Sequence, residues 1–129
     1  MNHDLNSPLD AGSVVQRQLE AYNAHDVEAL LAIYDDGAKL FEHPATLLAE
    51  GTAQLRERFV LRFQEPNLHA ELLKRMVMGN FVVDQERVTR TFPEGVGTVE
   101  LIATYEVKDS RIIHAWFLSG PKVLHTPTS

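Results

Sequence analysis

Apolar residues in the first part of the chain recur with the spacing of an amphipathic helix. Val15, Leu19 and Tyr22 fall at i, i+4 and i+7 and would share one face. Ser13 and Gln16 have the spacing of a capping box, in which each residue satisfies a backbone N–H of the first turn. The pattern predicts a helix that begins at Ser13 and buries its apolar face.

Two more helices and a short strand are predicted before residue 68. Asp26 is a candidate N-cap, and the apolar residues after it keep helical spacing through Tyr34. A third helix is predicted to start at Gly51 and to end at residues 64–67, which contain a proline. Between these helices, Ala38–Glu42 is predicted to be a strand.

The second half of the chain is predicted to consist of strands. Leu68–Met78 and Phe81–Phe92 flank Gly79-Asn80, a pair suited to a two-residue hairpin turn. Thr98–Val107 and Arg111–Ser119 form a second predicted hairpin. Helices followed by antiparallel strands predict an α+β domain in which the helices cover one face of a curved sheet.

The length of 129 residues suits one domain with one core. We expect a single domain over residues 1–129, with flexible ends at 1–12 and 120–129. No apolar run is long enough to cross a membrane, and the polar N-terminus does not resemble a signal peptide. The absence of cysteine fits a reducing compartment, so we expect a cytoplasmic protein.

The charge balance and the histidine spacing exclude several classes of function. The net charge is −6 and no basic stripe is present, so we expect no nucleic-acid partner. None of the six histidines has the spacing of a metal motif, so we expect no metal and no cofactor.

The first predicted hairpin carries charged residues on both faces. The Gly79-Asn80 turn predicts these facing pairs: Met78–Phe81, Arg75–Asp84, Leu73–Glu86 and His69–Arg90. One interpretation is a solvated sheet surface with weak ion pairs. The other is a concave, enclosed face in which Arg75 holds Asp84 and leaves Glu86 and Glu71 for chemistry. Period-two alternation does not decide between these interpretations.

The first half of the chain resembles the ketosteroid isomerases of the nuclear transport factor 2-like superfamily, which includes SnoaL-like polyketide cyclases. The resemblance is carried by VVQRQLEAYNAHDVEALLAIYDDGAKLFEHP and GTAQLRERF, and it covers residues 14–63. It implies a cone-shaped α+β barrel, with three N-terminal helices packed on a strongly curved antiparallel sheet around a deep pocket. It also implies a homodimer through the convex sheet face.

The resemblance assigns roles to individual residues. Glu42 falls on the position of the general base, and we expect it to be buried beside Phe41, which would suit a base. Gln18 and Ala103 stand where the isomerases have their oxyanion donors, so we expect poor steroid isomerase activity. Further pocket-facing positions are Asp84, Glu86, Val88 and Arg90.

The candidate site therefore has two groups of residues. The candidate catalytic residues are Glu42, Asp84, Glu86 and Arg75. The candidate substrate-binding residues are His43, Gln18, Tyr22, Val88, Arg90, Ala103 and Phe117. His114 and Trp116 share the opposite strand face, where an exposed tryptophan would suit a dimer interface.

Three functions remain open at this point. The first is a cofactor-free enzyme that transfers protons on a small, partly apolar carbonyl compound, or adds water as the limonene epoxide hydrolases do with an Asp-Arg-Asp group. The second is a non-catalytic module that binds a small apolar ligand. The third is a dimeric scaffold. Ionisable groups facing the pocket favour the enzyme, because their desolvation would be costly in a pure binder.

Overall fold

Helices and strands follow one another in the order that the sequence predicts, with one additional strand. The computed structural model describes residues 10–125. The helices are α1 (Ala11–Asn23), α2 (Val27–Ile33) and α3 (Gly51–Arg62). The strands are β1 (Tyr34–Glu42), β2 (Thr46–Glu50), β3 (His69–Met78), β4 (Phe81–Phe92), β5 (Gly95–Lys108) and β6 (Arg111–Leu124).

The strands form one curved sheet in the order β2-β1-β6-β5-β4-β3, and the helices pack against one of its faces. Neighbouring strands are antiparallel except for β1 and β6, which are parallel. The predicted α+β cone is therefore confirmed, as an open sheet with one parallel pair. No helix among residues 10–125 is long and apolar enough to cross a membrane.

Two helix boundaries differ from the prediction. The N-cap of α1 is Asp10, whose carboxylate accepts from the Ser13 backbone N–H at 2.8 Å, so the helix starts two residues before Ser13. Asp26 caps α2 as predicted and accepts from the Ala29 N–H at 3.0 Å. Tyr34 does not continue α2, because its backbone is already extended and begins β1.

Two segments expected to lie outside the sheet belong to it. The sequence prediction missed β2, which pairs with β1 after a tight turn. Residues 120–124, expected to be a flexible end, continue β6, and Lys122, Val123 and Leu124 pair with the first part of β5. At the other end, Ala11 and Gly12 belong to α1. The remaining parts of the expected flexible ends, 1–9 and 126–129, lie outside the described residues.

A bulge changes the register of the β3–β4 hairpin. Met78 faces Phe81 and Arg75 faces Asp84, as predicted. Leu73 is then an extra residue, so Leu72 rather than Leu73 faces Glu86, and His69 faces Thr89 rather than Arg90. Because of this shift, Ala70 and Leu72 turn inward, whereas His69, Glu71 and Leu73 are exposed. The bulge thus removes charge from the inner face of β3.

The opposite side of the sheet, which we call the convex face, carries apolar side chains. Phe41, Trp116, Thr104, Val83 and Met76 lie in register across five strands and share this face. The rings of Phe41 and Trp116 stack with centroids 5.8 Å apart. Trp116 is therefore partly exposed on the convex face and is not covered by the helices, as the sequence predicts.

The turn between α1 and α2 covers part of the edge strand β3. The Asn23 amide oxygen accepts from the Ala70 N–H at 2.8 Å, and its amide nitrogen donates to the Ala70 carbonyl at 2.9 Å. His25 donates to the Leu68 carbonyl oxygen at 3.0 Å. The side chain of Asn23 thus hydrogen-bonds both backbone polar groups of Ala70, as a neighbouring strand would.

Replacing Asn23 should therefore destabilise the fold. Asn23→Ala removes both hydrogen bonds of a part-buried backbone unit, and we expect a loss of about 1–3 kcal/mol in the free energy of unfolding. Urea denaturation followed by tryptophan fluorescence measures it. Gln64→Ala, at an exposed position after α3, is the control and should change little. Equal midpoints for the two variants would contradict the role given to Asn23.

Candidate active site

A cavity of about 420 Å³ lies between the helices and the inner face of the sheet. Four of its lining residues are polar and buried, and we call them the inner wall: Gln18, Tyr34, Glu86 and Tyr105. Five others carry a carboxylate, an imidazole or a guanidinium and reach solvent, and we call them the outer wall: Glu42, His43, Arg58, Arg62 and Arg90. Apolar residues such as Leu40 and Phe59 line the space as well. The cavity is therefore amphipathic, with polar groups at both ends.

The alternation of β4 places its acids on the inner face. Val82, Asp84, Glu86 and Val88 are buried, whereas Gln85 and Arg87 between them are exposed. Two carboxylates thus lie on the same face of one strand, two residues apart. Like charges this close in a buried setting cannot both ionise without compensation.

Asp84 is compensated by Arg75. The guanidinium donates to both carboxylate oxygens, at 2.7 and 2.9 Å, and donates a third bond to the Gln16 amide oxygen at 2.9 Å. The Asp84 side chain has no solvent exposure. The hydrogen bonds from Arg75 to Asp84 also raise the pKa of the guanidinium. Asp84 and Arg75 therefore form a fixed ion pair and lie behind the cavity, outside its lining.

Glu86 differs from Asp84 in having no such partner. Within residues 10–125 its carboxyl forms no ion pair or hydrogen bond, and it lines the cavity while only 6% exposed. Burial raises the pKa of Glu86 to about 7; the charge of Asp84 adds to the rise and Arg75 opposes it. Near neutral pH, Glu86 is therefore present in both protonation states, as a general acid/base requires.

Two tyrosine hydroxyls complete the inner wall. Tyr105 donates to the Gln18 amide oxygen at 3.4 Å. The Tyr34 hydroxyl is buried and, although it interacts with Gln18, it has no hydrogen bond of good geometry in the described part of the chain. Burial raises the pKa of both hydroxyls, so both remain protonated donors. An unpaired buried hydroxyl is costly unless a ligand or water oxygen meets it.

Most of the predicted site residues line the cavity. The lining includes Gln18, Tyr22, Glu42, His43, Glu86, Val88, Arg90 and Phe117. Arg75, Asp84 and Ala103 do not line it. Ala103 is fully buried and pairs with Asp84 and Phe117 on the neighbouring strands.

Glu42 lies in the outer wall and is exposed, contrary to the expected burial beside Phe41. The reason is the strand alternation: Phe41 points to the convex face, where it stacks on Trp116, so its ring does not cover Glu42. His43, also exposed, is held by its backbone N–H, which donates to the Phe117 carbonyl at 2.8 Å. The buried acid of the cavity is Glu86.

Sequence reasoning missed Tyr34, Tyr105, Arg58 and Arg62 as lining residues. The sequence pattern places Tyr34 on the apolar face of the second predicted helix. Arg58 lies three residues after the buried Leu55 and Arg62 three after the buried Phe59. This spacing places both arginines beside the apolar stripe of α3. It is the sequence signal that could have identified them as lining residues.

The sequence profile of the SnoaL-like domain matches residues 15–115, so the chain belongs to the SnoaL-like family. No curated protein matches the sequence significantly. An uncharacterised cystatin-fold protein from Novosphingobium aromaticivorans is 23% identical, with a TM-score of 0.78 over 84% of this chain and 97% of that one.

Two further solved structures show the same architecture at lower identity. A nuclear transport factor 2-like protein of unknown function from Cytophaga hutchinsonii is 13% identical, with a TM-score of 0.74 over 91% of this chain and 96% of that one. SalBIII, an epoxide hydrolase/cyclase-like enzyme of pyran ring formation in salinomycin, is 16% identical, with a TM-score of 0.76 over 85% of this chain and 90% of that one. The expected superfamily is confirmed.

The raised pKa of Glu86 should make stability depend on pH. The carboxyl takes up a proton on folding between its ordinary value of 4.5 and about 7. Its contribution to stability is complete below 4.5 and is lost as the pH rises through 7. Glu86→Gln removes this dependence, so the fall in unfolding free energy between pH 5 and pH 8 should shrink by about 2–3 kcal/mol. Urea titrations at both pH values measure it.

Carbon-13 NMR of the glutamate carboxyls gives the direct check. One resonance should titrate near neutral pH and disappear in Glu86→Gln. Glu71→Gln, at an exposed position on β3, should leave that resonance in place. A spectrum in which every glutamate titrates below pH 5 would contradict the assignment.

Proposed function

We propose that the protein is a cofactor-independent enzyme that transfers a proton on a small, oxygen-bearing and partly apolar molecule, with Glu86 as the acid/base group. The observation that carries the proposal is a buried carboxyl that lines the cavity and has no partner among the described residues. A carboxylate placed in this way serves as a base because neither an ion pair nor bulk water holds it in one protonation state.

The inner wall supplies the remaining parts of such a reaction. In its ionised form Glu86 would take a proton from a carbon next to a carbonyl group, and the electron pair would move onto the carbonyl oxygen. The Tyr34 hydroxyl, which has no hydrogen bond of good geometry in the described chain, is available to donate to that oxygen. Return of the proton to another carbon completes an isomerisation with no further reactant. In a cyclisation the enolate carbon instead attacks a second carbonyl carbon of the same molecule, the π electrons of that carbonyl move onto its oxygen, and this oxygen takes the proton. A positioned base contributes about 10²–10⁴ in rate and an oxyanion donor about 10²–10³.

Glu42, at the outer wall, is the second candidate for the base. The resemblance to the isomerases places the base at Glu42, but its exposure makes it a weaker candidate than Glu86. A non-catalytic binding module is the competing function. It is disfavoured because a buried acid without a counter-ion costs free energy that binding an apolar ligand would not return.

Proton transfer can be tested without knowing the natural substrate. In deuterated buffer the wild-type protein should speed deuterium incorporation next to the carbonyl of 2-tetralone, with a rate that rises with pH and is half-maximal near pH 7, because the ionised form is the base. Glu86→Gln should lower the rate at least about 100-fold, and Tyr34→Phe about 10-fold or more. Proton NMR follows the exchange.

The controls separate Glu86 from the other acids. Glu71→Gln, outside the cavity, should exchange at the wild-type rate. A rate that survives Glu86→Gln but falls in Glu42→Gln would assign the base to Glu42. Binding of small ketones and lactones without any exchange would favour the binding module.

We also propose that two copies associate through the convex face. Exposed apolar side chains concentrate there, including Met76, Met78 and Ile102, which are 62%, 77% and 43% exposed. Together with Phe41 and Trp116 they form an apolar surface of the kind that protein interfaces bury.

Sedimentation equilibrium tests the assembly. We expect a mass of about 29 kDa at micromolar concentration, twice the chain mass of 14.5 kDa. Ile102→Glu should shift the protein to the monomer because a charge would be buried at the interface. Val60→Glu is the matched control, since Val60 is 44% exposed on α3, away from the sheet. A wild-type monomer, or a dimer that survives Ile102→Glu, would contradict the proposal.

A further inference from the structure

Three arginines contribute to the outer wall, and two of them share one counter-ion. Arg90 donates to both oxygens of the Glu65 carboxylate, at 2.6 and 3.2 Å. Arg62 lies 3.8 Å from the same carboxylate, which also accepts from the Thr91 N–H at 3.1 Å. Burial alone would raise the pKa of Glu65, but these hydrogen bonds outweigh it and hold the carboxyl ionised. Arg62 and Arg90 are therefore partly neutralised.

Arg58 has no such counter-ion. It lines the cavity and is half-buried, yet in the described part of the chain it has no ion pair and no hydrogen bond. Burial lowers the pKa of its guanidinium, and the charges of Arg62 and Arg90 lower it further, whereas Tyr22 and Glu42 act in the opposite sense, Glu42 from beyond ion-pair distance. An arginine nonetheless stays protonated in proteins. A half-desolvated, unpaired cation at a cavity is costly unless an anion arrives.

The outer wall consequently has a surplus of positive charge. Arg58, Arg62 and Arg90 face the carboxylates of Glu42 and Glu65, in a chain whose net charge is −6. This local surplus opposes the overall charge, so it is not a by-product of a basic protein. One unpaired guanidinium matches the single charge and the two oxygens of a carboxylate. A phosphate dianion would bring more negative charge close to Glu42 and Glu65.

We propose that the molecule bound in this cavity is a small carboxylic acid whose carboxylate is held by Arg58 while its apolar body extends toward the inner wall. The proposal rests on the proposed function in that it names the substrate class of the same cavity. Leu40, Leu48 and Phe59 line the space and would contact the apolar body. The reacting oxygen would then meet Tyr34 and Glu86, and the carboxylate would fix which carbon lies next to Glu86.

A pair of probes with the same shape tests the carboxylate site. Calorimetric titration at pH 7.5 and constant ionic strength compares 3-phenylpropanoate with 3-phenylpropanamide. We expect wild-type protein to bind the acid at least about 10-fold more tightly than the amide. Arg58→Gln should abolish this preference. Arg56→Gln is the matched control, because Arg56 lies on the same helix but is exposed and pairs with Glu28 on the surface; it should keep the preference.

The outcomes also separate this inference from the proposed function. Equal affinity for acid and amide, no binding of either, or a preference that survives Arg58→Gln would overturn the carboxylate site. Glu86→Gln should keep the preference for the acid while it loses deuterium exchange. An acid preference in a protein that exchanges no deuterium would leave the carboxylate site standing and remove the proton-transfer function. Deuterium exchange with neutral ketones but no preference for the acid would leave the proton-transfer function standing and overturn the carboxylate site.

Discussion

The ion pair between Arg75 and Asp84 is the interaction on which the cavity depends. Asp84 is fully buried, and without a counter-ion its desolvation would favour either protonation or unfolding. Arg75 meets it with two hydrogen bonds and reaches Gln16 with a third, so α1, β3 and β4 are joined at one point. With this charge compensated, β4 can carry a second acid on the same face. Glu86 can then remain without a partner of its own.

The chemical character of the cavity follows from which polar groups have partners. Asp84 and Arg75 satisfy each other and contribute a fixed, nearly neutral background. Glu86 and the Tyr34 hydroxyl have no hydrogen bond of good geometry among residues 10–125, and both belong to the buried end. Arg58, at the solvent end, likewise has no ion pair or hydrogen bond among the described residues. Groups without partners are therefore present at both ends of one apolar space, which suggests a ligand that is polar at two points and apolar between them.

Sequence reasoning succeeded where local signals determine structure. Asp26 and Gly51 mark helix starts because capping and backbone freedom act on a few neighbouring residues. The Arg75–Asp84 pair was predicted because it lies close to the Gly79-Asn80 turn, which sets the register. From His69 to Leu73 the predicted register was wrong. Charged residues alternate with apolar ones on both faces of this segment, and nothing in the pattern requires an extra residue there.

The errors at the site have a common physical origin. Whether Glu42 is buried depends on neighbouring strands, and alternation within β1 could not reveal that Phe41 packs on Trp116 instead. Tyr34 fits a helical period yet lies where the chain turns into β1. Pro121 suggested a tail, but the register passes over it between Ser119 and Lys122, so its missing N–H is not needed for pairing with β5. These features belong to tertiary contacts, which a single sequence does not display.

The bulge at Leu73 sets which residues face inward in each half of β3. On the His69 side of the bulge the even-numbered residues face the helices, and on the Met78 side the odd-numbered residues do. Deleting any one residue from either half would turn part of the strand over and take Arg75 away from Asp84, or expose Ala70 and Leu72. Point substitutions on the outer side would not do so. Over evolution, this strand is therefore free to change its surface residues, and Leu73 is the position whose loss would leave Leu72 opposite Glu86 and Arg75 opposite Asp84.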